Sequence, residues 1–283
     1  MALDWTMKEV SIPERVRLAP LFEGYKWNYL PDAILEGTMS RALADDDAEP
    51  KVAVLEAPRL HLSIPAGDPQ HPLAQAYLDA LHGPWALIFA SPGWQELAVR
   101  RHAGKLVTTQ RFAFTSERLD AGYLRRLGSR IPGGYRLERI DLALARKLAG
   151  ERSEFSADHL LAFASPEEFL ERGFGFCLLA RDQIVSAATT FAVCRCGIEI
   201  QISTREKHQH RGLATAVAAH LLLHSLRLGL DPNWDAANRA SVCLAQKLGY
   251  TPQGNYPLVL FAGSRLMAAV TRLGLKVKEL VGK

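Results

Sequence analysis

Three observations point to a mixed α/β (α+β) fold built around a mostly antiparallel sheet. Phe174–Ala180, Gln183–Val193 and Ile198–Thr204 read as strands joined by the tight turns Arg181-Asp182 and Arg195-Cys196-Gly197, a meander of antiparallel neighbours. A short polar loop then leads into a long helix at Leu213–Leu228, which Gly229 closes. Upstream, segments of alternating and of helical apolar spacing succeed one another, so strands and helices are mixed along the chain.

The elements follow in order. The first 40 residues, punctuated by Pro13, Pro20, Gly24, Pro31 and Gly37, read as irregular. Arg41–Ala44 and Lys51–Glu56 fit strands on either side of the acidic, proline-ended turn Asp45–Pro50, and Arg59–Ile64 fits another. Pro72 in the first turn and Gly83 past the end frame a helix at Pro72–Leu81. Trp85–Ala90 suits a buried strand, Pro92–His102 a helix and Lys105–Thr115 a strand. Ile131-Pro132-Gly133-Gly134 breaks any helix and sets a boundary there: residues 1–133 as an N-terminal α/β domain, residues 134–283 as a second domain. The second begins with a strand, Tyr135–Asp141, and helices at Leu142–Arg152, Ala157–Phe163 and Pro166–Arg172 before the meander. After the long helix come a short strand Pro232–Ala236, a helix Arg239–Leu248 stopped by Gly249, a strand Leu258–Phe261 and an amphipathic C-terminal helix Ser264–Val281.

With 283 residues, 48% of them hydrophobic and 23% charged, the chain can bury two domain cores. A net charge of +4 with no dense basic tract argues against a nucleic-acid partner. No apolar run approaches the ~18 residues of a membrane span, and Met1–Val10 carries Asp4, Lys8 and Glu9 where a secretory signal would be apolar. Cys177, Cys194, Cys196 and Cys243 are few and unevenly placed, so free thiols are expected. These features predict a cytoplasmic protein, monomer or homodimer, without a membrane partner and without a metal.

Gln209-His210-Arg211-Gly212-Leu213-Ala214 is the most informative stretch. It follows a strand and opens a helix, so small Gly212 and Ala214 allow close approach while the first helical N–H groups point outward at an anion. Arg205, Lys207, His208, His210 and Arg211 add positive charge around it. An ordinary strand–loop–helix connection with a solvated basic face accounts for the same residues equally well.

Gln209-x-x-Gly212-x-Ala214 resembles the Q/R-x-x-G-x-G/A pyrophosphate loop of the GNAT superfamily of acetyl-CoA-dependent N-acetyltransferases. Its setting matches too: a strand meander before it, a helix after it, then Asn238 and Lys247-Leu248-Gly249-Tyr250. The resemblance covers Tyr135–Phe261. Gly175-Phe176-Cys177, Gly197-Ile198-Glu199-Ile200 and Trp234-Asp235-Ala236-x-Asn238, with Arg41–Pro50 and Arg111–Phe114, are similar to the branch that includes the zwittermicin-resistance acetyltransferase. The resemblance implies a GNAT fold in residues 134–283, with splayed strands Ile198–Thr204 and Pro232–Ala236, and an N-terminal domain that is a candidate degenerate copy. It implies acetyl-CoA as cosubstrate, its pantetheine arm paired with backbone at Ile202 and Thr204. The pyrophosphate would rest on Gln209, His210, Arg211, Gly212, Leu213, Ala214 and Thr215. Asn238 would contact the pantetheine region, although an asparagine there is as readily a helix N-cap.

Direct transfer to an amine needs the amine neutral, and a carboxylate serves as the base. Glu199 is the candidate: alternation puts it with Gln201 and Ser203 on one strand face, opposite Ile198, Ile200 and Ile202. A solvated strand carboxylate is the plainer reading. The family's usual tyrosine acid, seven residues after the asparagine, is replaced by Ala245. Ser241, a water or an unassisted thiolate could take that role. His220 and His224, Cys194 and Cys196, and Cys243 read as helix-face or packing residues. Tyr25, Trp27 and Tyr29 could line a pocket or form a local core. The C-terminal helix, with Arg265, Arg272, Lys276, Lys278 and Lys283, is expected to dock on its own domain. The function expected is acetyl transfer to a small-molecule primary amine in a ternary complex. The alternatives are a non-catalytic acyl-CoA-binding regulatory module and a protein N-acetyltransferase.

Overall fold

A computed structural model describes residues 7–281 apart from 47, 152, 154, 157 and 158. The chain opens with β1 (Lys8–Glu9), α1 (Leu30–Leu35), β2 (Arg41–Ala44), β3 (Val52–Ala57), β4 (Leu62–Gly67), α2 (Pro72–Asp79), β5 (Trp85–Leu87) and α3 (Pro92–Arg101). It continues with β6 (Leu106–Thr115), α4 (Ala121–Gly128), β7 (Tyr135–Arg139), α5 (Leu142–Gly150), α6 (Pro166–Arg172), β8 (Gly175–Ala180), β9 (Gln183–Val193) and β10 (Gly197–Thr204). It ends with α7 (Leu213–Arg227), β11 (Asp231–Ala236), α8 (Arg239–Leu248), β12 (Thr251–Phe261) and α9 (Arg265–Val281).

The chain forms two compact units, one of Met1–Trp27, Pro31–Arg111 and Tyr256–Lys283, the other of Asn28–Leu30 and Phe112–Asn255. In the first unit the strands lie in the order β1-β2-β3-β4-β5-β12, with β4 and β5 parallel and the other neighbours antiparallel. Leu78, Leu87, Trp94, Leu97, Val259 and Phe261 make its core against α2 and α3.

In the second unit the order is β6-β11-β10-β9-β8-β7. The meander is present, with β8, β9 and β10 antiparallel. Period-two alternation divides the two faces. Along β8, Phe176 and Leu178 pack with Leu213, Val217 and Leu221 of α7, whereas Cys177 and Leu179 pack with Leu148 of α5 and Phe169 of α6. On β10, Ile198, Ile200 and Ile202 all meet the α7 cluster, as alternation requires.

Several elements differ from expectation. α4 lies just before the 131–134 breaker; its N-terminus is capped by Asp120, which accepts from Tyr123 N–H. α1 lies within the stretch read as irregular, and β12 starts at Thr251, seven residues early. The 133/134 boundary falls inside the second unit, and α9 groups with the first. Residues 157 and 158 of the expected Ala157–Phe163 helix lie outside the described residues, and 159–163 form turns and bends.

Candidate functional site

β10 and β11 are parallel neighbours for only three rungs, Gly197↔Asp231, Ile198↔Pro232 and Glu199↔Asn233. Beyond Glu199, β10 stays with β9 as far as Thr204↔Ser186, while Trp234–Ala236 of β11 pairs with β6. The edge of residues 200–204 that faces β11 therefore has no strand partner among the described residues, and its backbone amides line a wedge. The register against β9 skips Phe191 opposite Glu199/Ile200, a bulge that adds local twist where the strands part.

Glu199 sits at the apex of the wedge, 6% exposed. Its Oε1 accepts from Tyr29 N–H at 2.7 Å and from Asn233 Nδ2 at 2.9 Å. Gly197 permits this approach, because a Cβ there would lie 2.3 Å from the Tyr29 ring. Tyr29 Oη donates to Asp231 Oδ2 at 2.7 Å, and Ser116 Oγ donates to Asp231 Oδ1. Burial first, then the bond and charge of Asp231, push the Tyr29 phenol far above its ordinary range, so it holds its proton. Glu199 is thus a buried, hydrogen-bonded carboxylate rather than a solvated one. Trp27 stacks on Tyr256 at 5.0 Å.

The loop before α7 follows. His210 (φ 60°) and Gly212 (φ 79°) are both left-handed, which turns the loop backbone just ahead of α7, whereas the Gln209 N–H is already bonded to Glu206 O at 3.1 Å. Gly212 is the N-cap of α7 without a side chain to cap it, and the first helical bond is Ala216 N–H to Gly212 O at 3.1 Å. The N–H groups of Leu213, Ala214 and Thr215 precede that bond and so have no intrahelical acceptor. A Cβ on Gly212 would meet no atom within 4 Å. Gln209 Nε2 donates to Thr204 O at 3.2 Å and ties the loop to the strand end. Arg211 Nη1 donates to Tyr135 Oη at 3.1 Å, and Tyr135 Oη meets His208 Nδ1 at 3.0 Å. Arg205 is committed elsewhere: its Nη2 pairs with Glu151 at 2.5 Å and its guanidinium lies over Phe155 at 4.4 Å.

On β11 and α8, Asn238 Oδ1 caps α8 by accepting from Ser241 N–H at 2.9 Å, so the N-cap reading holds for it. Ala245 is fully buried with Trp234, Leu248 and Tyr250. Tyr250 Oη donates to Pro232 O at 2.6 Å, and burial holds its phenol well above the ordinary value. Neither position presents an acid to the wedge.

His159 escaped the sequence reading. It is buried, with Nδ1 2.9 Å from Thr189 Oγ1 and Nε2 2.6 Å from Ser203 Oγ. Ser203 Oγ donates to Phe155 O at 2.8 Å, so it accepts from Nε2–H, and Nδ1 accepts from Thr189. Burial lowers the imidazole to about 4, and it is neutral at neutral pH. Only tertiary pairing of 159 with 203 identifies it; no sequence spacing does.

An unpartnered strand edge that leads to the N-terminus of a helix can hold an extended amide-bearing chain that ends in phosphate. The family model described as GNAT acetyltransferase matches residues 19–259. The curated "Uncharacterized N-acetyltransferase YdfB" of Bacillus subtilis (strain 168) is 29% identical over 130 residues, 45% of this chain; the chain spans about half of that relative's length, 49%. A crystal structure of a GCN5-related N-acetyltransferase-like protein from Streptococcus suis 89/1591 matches with TM-score 0.77 and 30% identity, over 87% of this chain and 98% of that one. A tandem GNAT protein from the clavulanic acid biosynthesis pathway matches in fold, with TM-score 0.60 at 10% identity over 92% and 99% of the two chains. The chain belongs to the GNAT acetyltransferase family.

Proposed function

We propose that the protein transfers an acetyl group from acetyl-CoA to the primary amine of a small molecule by direct attack in a ternary complex. The parting of β10 from β11 after Glu199 and Asn233 carries this reading. Backbone groups of Ile202 and Thr204 would hold the pantetheine arm along the open edge, and N–H groups of His210, Arg211, Gly212, Leu213, Ala214 and Thr215 the pyrophosphate, with Gln209 bracing the loop through Glu206 O and Thr204 O. Acetyl-CoA supplies a thioester-activated acyl carbon; as the amine nitrogen bonds to that carbon the C–S bond breaks, and CoA leaves as a thiolate that takes a proton from water. A backbone N–H on the 200–204 edge orients and polarises its carbonyl. Glu199, fixed by Tyr29 N–H and Asn233, accepts the amine proton, directly or through a water. Asn238 stays at the mouth as the α8 cap. The first unit reads as a degenerate GNAT-like copy, supported by the fold likeness to a tandem GNAT protein. The similarity to the zwittermicin-resistance branch favours an amine-bearing antibiotic or metabolite as acceptor.

Isothermal titration with acetyl-CoA, followed by a thiol-release assay over an amine panel, tests this. Binding with turnover of a small amine is the expected result. Binding without turnover of any amine or peptide N-terminus would favour a non-catalytic acyl-CoA-binding module, a reading to which the buried Ala245 lends weight. Turnover of peptide amines alone would make it a protein N-acetyltransferase.

A further inference from the structure

α9 turns its apolar row outward. Leu266, Met267, Val270 and Leu273 are 74%, 51%, 55% and 65% exposed. The opposite side is the seated one: Ala268 is buried, and Arg272 Nη2 donates to Leu106 O at 2.8 Å. The helix is docked, but through Ala268 and Arg272 rather than through its apolar row, which is left open. Positions 266, 270 and 273 follow the i, i+4, i+7 spacing of one helical face, and the sequence continues it with Val277 and Leu280.

Charge is the second observation. Residues 265–283 hold five basic residues, Arg265, Arg272, Lys276, Lys278 and Lys283, and one acid, Glu279. The other 264 residues carry 29 basic and 29 acidic side chains, so the whole +4 excess of the chain sits in this segment. Two copies joined through the row would bring two such segments together against their mutual repulsion. An anionic surface attracts them instead.

We propose that α9 docks in the plane of an anionic lipid surface, the apolar row entering the headgroup–acyl boundary and the net positive charge of the segment supplying the attraction. At 17 residues the helix offers about 25 Å of length to lie along it. No helix among the described residues is long and apolar enough to cross a membrane, and this one need only lie on it. This replaces the expectation of no membrane partner.

The test is co-sedimentation of the full chain with vesicles of phosphatidylcholine alone or mixed equally with phosphatidylglycerol. Binding to the mixed vesicles should exceed that to neutral ones by about tenfold or more and fade in high salt. Leu266→Ser, Val270→Ser and Leu273→Ser together, all at exposed sites, should abolish it, and Lys276→Gln with Lys278→Gln should weaken it by about tenfold or more. Equal binding to both vesicle types, or none, overturns the proposal. So does a dimer in sedimentation equilibrium that the triple serine variant dissociates, because a second copy would then be what covers the row.

Discussion

Asn233 Nδ2 donates to Glu199 Oε1 at 2.9 Å across the last rung that β10 and β11 share. The bond fixes the carboxylate at the point where the two strands part. A strand residue one place later would sit beside an edge with no partner strand. Glu199 is thus held by the sheet on one side and by Tyr29 N–H on the other.

Glu199→Gln should lower kcat/KM at neutral pH by about 10²–10⁴-fold. The amide can still accept from Tyr29 N–H and Asn233, so the fold and acetyl-CoA affinity should persist. The deficit should shrink at high pH, where the amine loses its proton unaided. Equal turnover of both proteins at neutral pH would remove Glu199 from the mechanism.

Gly212→Ala tests the cradle. With φ at 79° an alanine costs about 1 kcal/mol of stability. Its Cβ meets no protein atom within 4 Å but would project into the space assigned to pyrophosphate. Titration calorimetry should show acetyl-CoA binding weakened by about tenfold or more, beyond what the small loss of stability explains. Unchanged affinity would place the pyrophosphate elsewhere.

Local signals in the sequence were enough for the strand–loop–helix turn before α7 and for the meander. Turn dipeptides, alternation and the Gly212 and Gly249 breakers act over a few residues, and β8, β9, β10, α7 and α8 lie close to where they were expected. The apex was not legible, because Tyr29 reaches Glu199 across 170 positions through a backbone N–H, which no side-chain identity announces. His159 was hidden for the same reason. Arg205 misled differently: its position in a basic stretch suggests the loop, yet Glu151 and Phe155 claim it. For α9 the amphipathic pattern was plain in the sequence, but a pattern does not say which face is turned inward.

Arg205→Ala separates fold from ligand binding. Burial alone would raise the Glu151 carboxyl, but hydrogen bonds from Arg205 reverse this and hold it below its ordinary value. Loss of the pair and of the ring contact should cost about 1–3 kcal/mol in urea unfolding. Acetyl-CoA affinity should stay within the range of the unsubstituted protein. A large loss of affinity with stability intact would return Arg205 to the phosphate site.

Ala245→Tyr would rebuild the family's usual acid in sequence only. Ala245 is packed against Trp234, Leu248 and Tyr250, so the ring has no space and the core must shift, at about 1–3 kcal/mol or more. Thermal unfolding should show the loss, and kcat should not rise. A higher kcat with stability retained would show that this position opens to the wedge.

His159 gives the protein a signed dependence on pH. Its folded value is about 4 against about 6.5 in an unfolded chain. Between those values the unfolded state binds the extra proton, so stability rises with pH through that window and is lost as pH falls from 6.5 toward 4. The span corresponds to on the order of 3 kcal/mol, a large share of a domain's stability. Protonation would make Nδ1 a donor toward Thr189 Oγ1, whose own proton would turn to His159 O at 3.3 Å, so the cost lies in burying the charge rather than in a lost bond. Urea titrations at pH 7 and pH 5 should therefore show a drop in the midpoint for the unsubstituted protein. His159→Gln, which cannot titrate, should be less stable at pH 7 yet show a smaller drop. If both proteins lose the same stability between the two pH values, the imidazole is not the group that titrates.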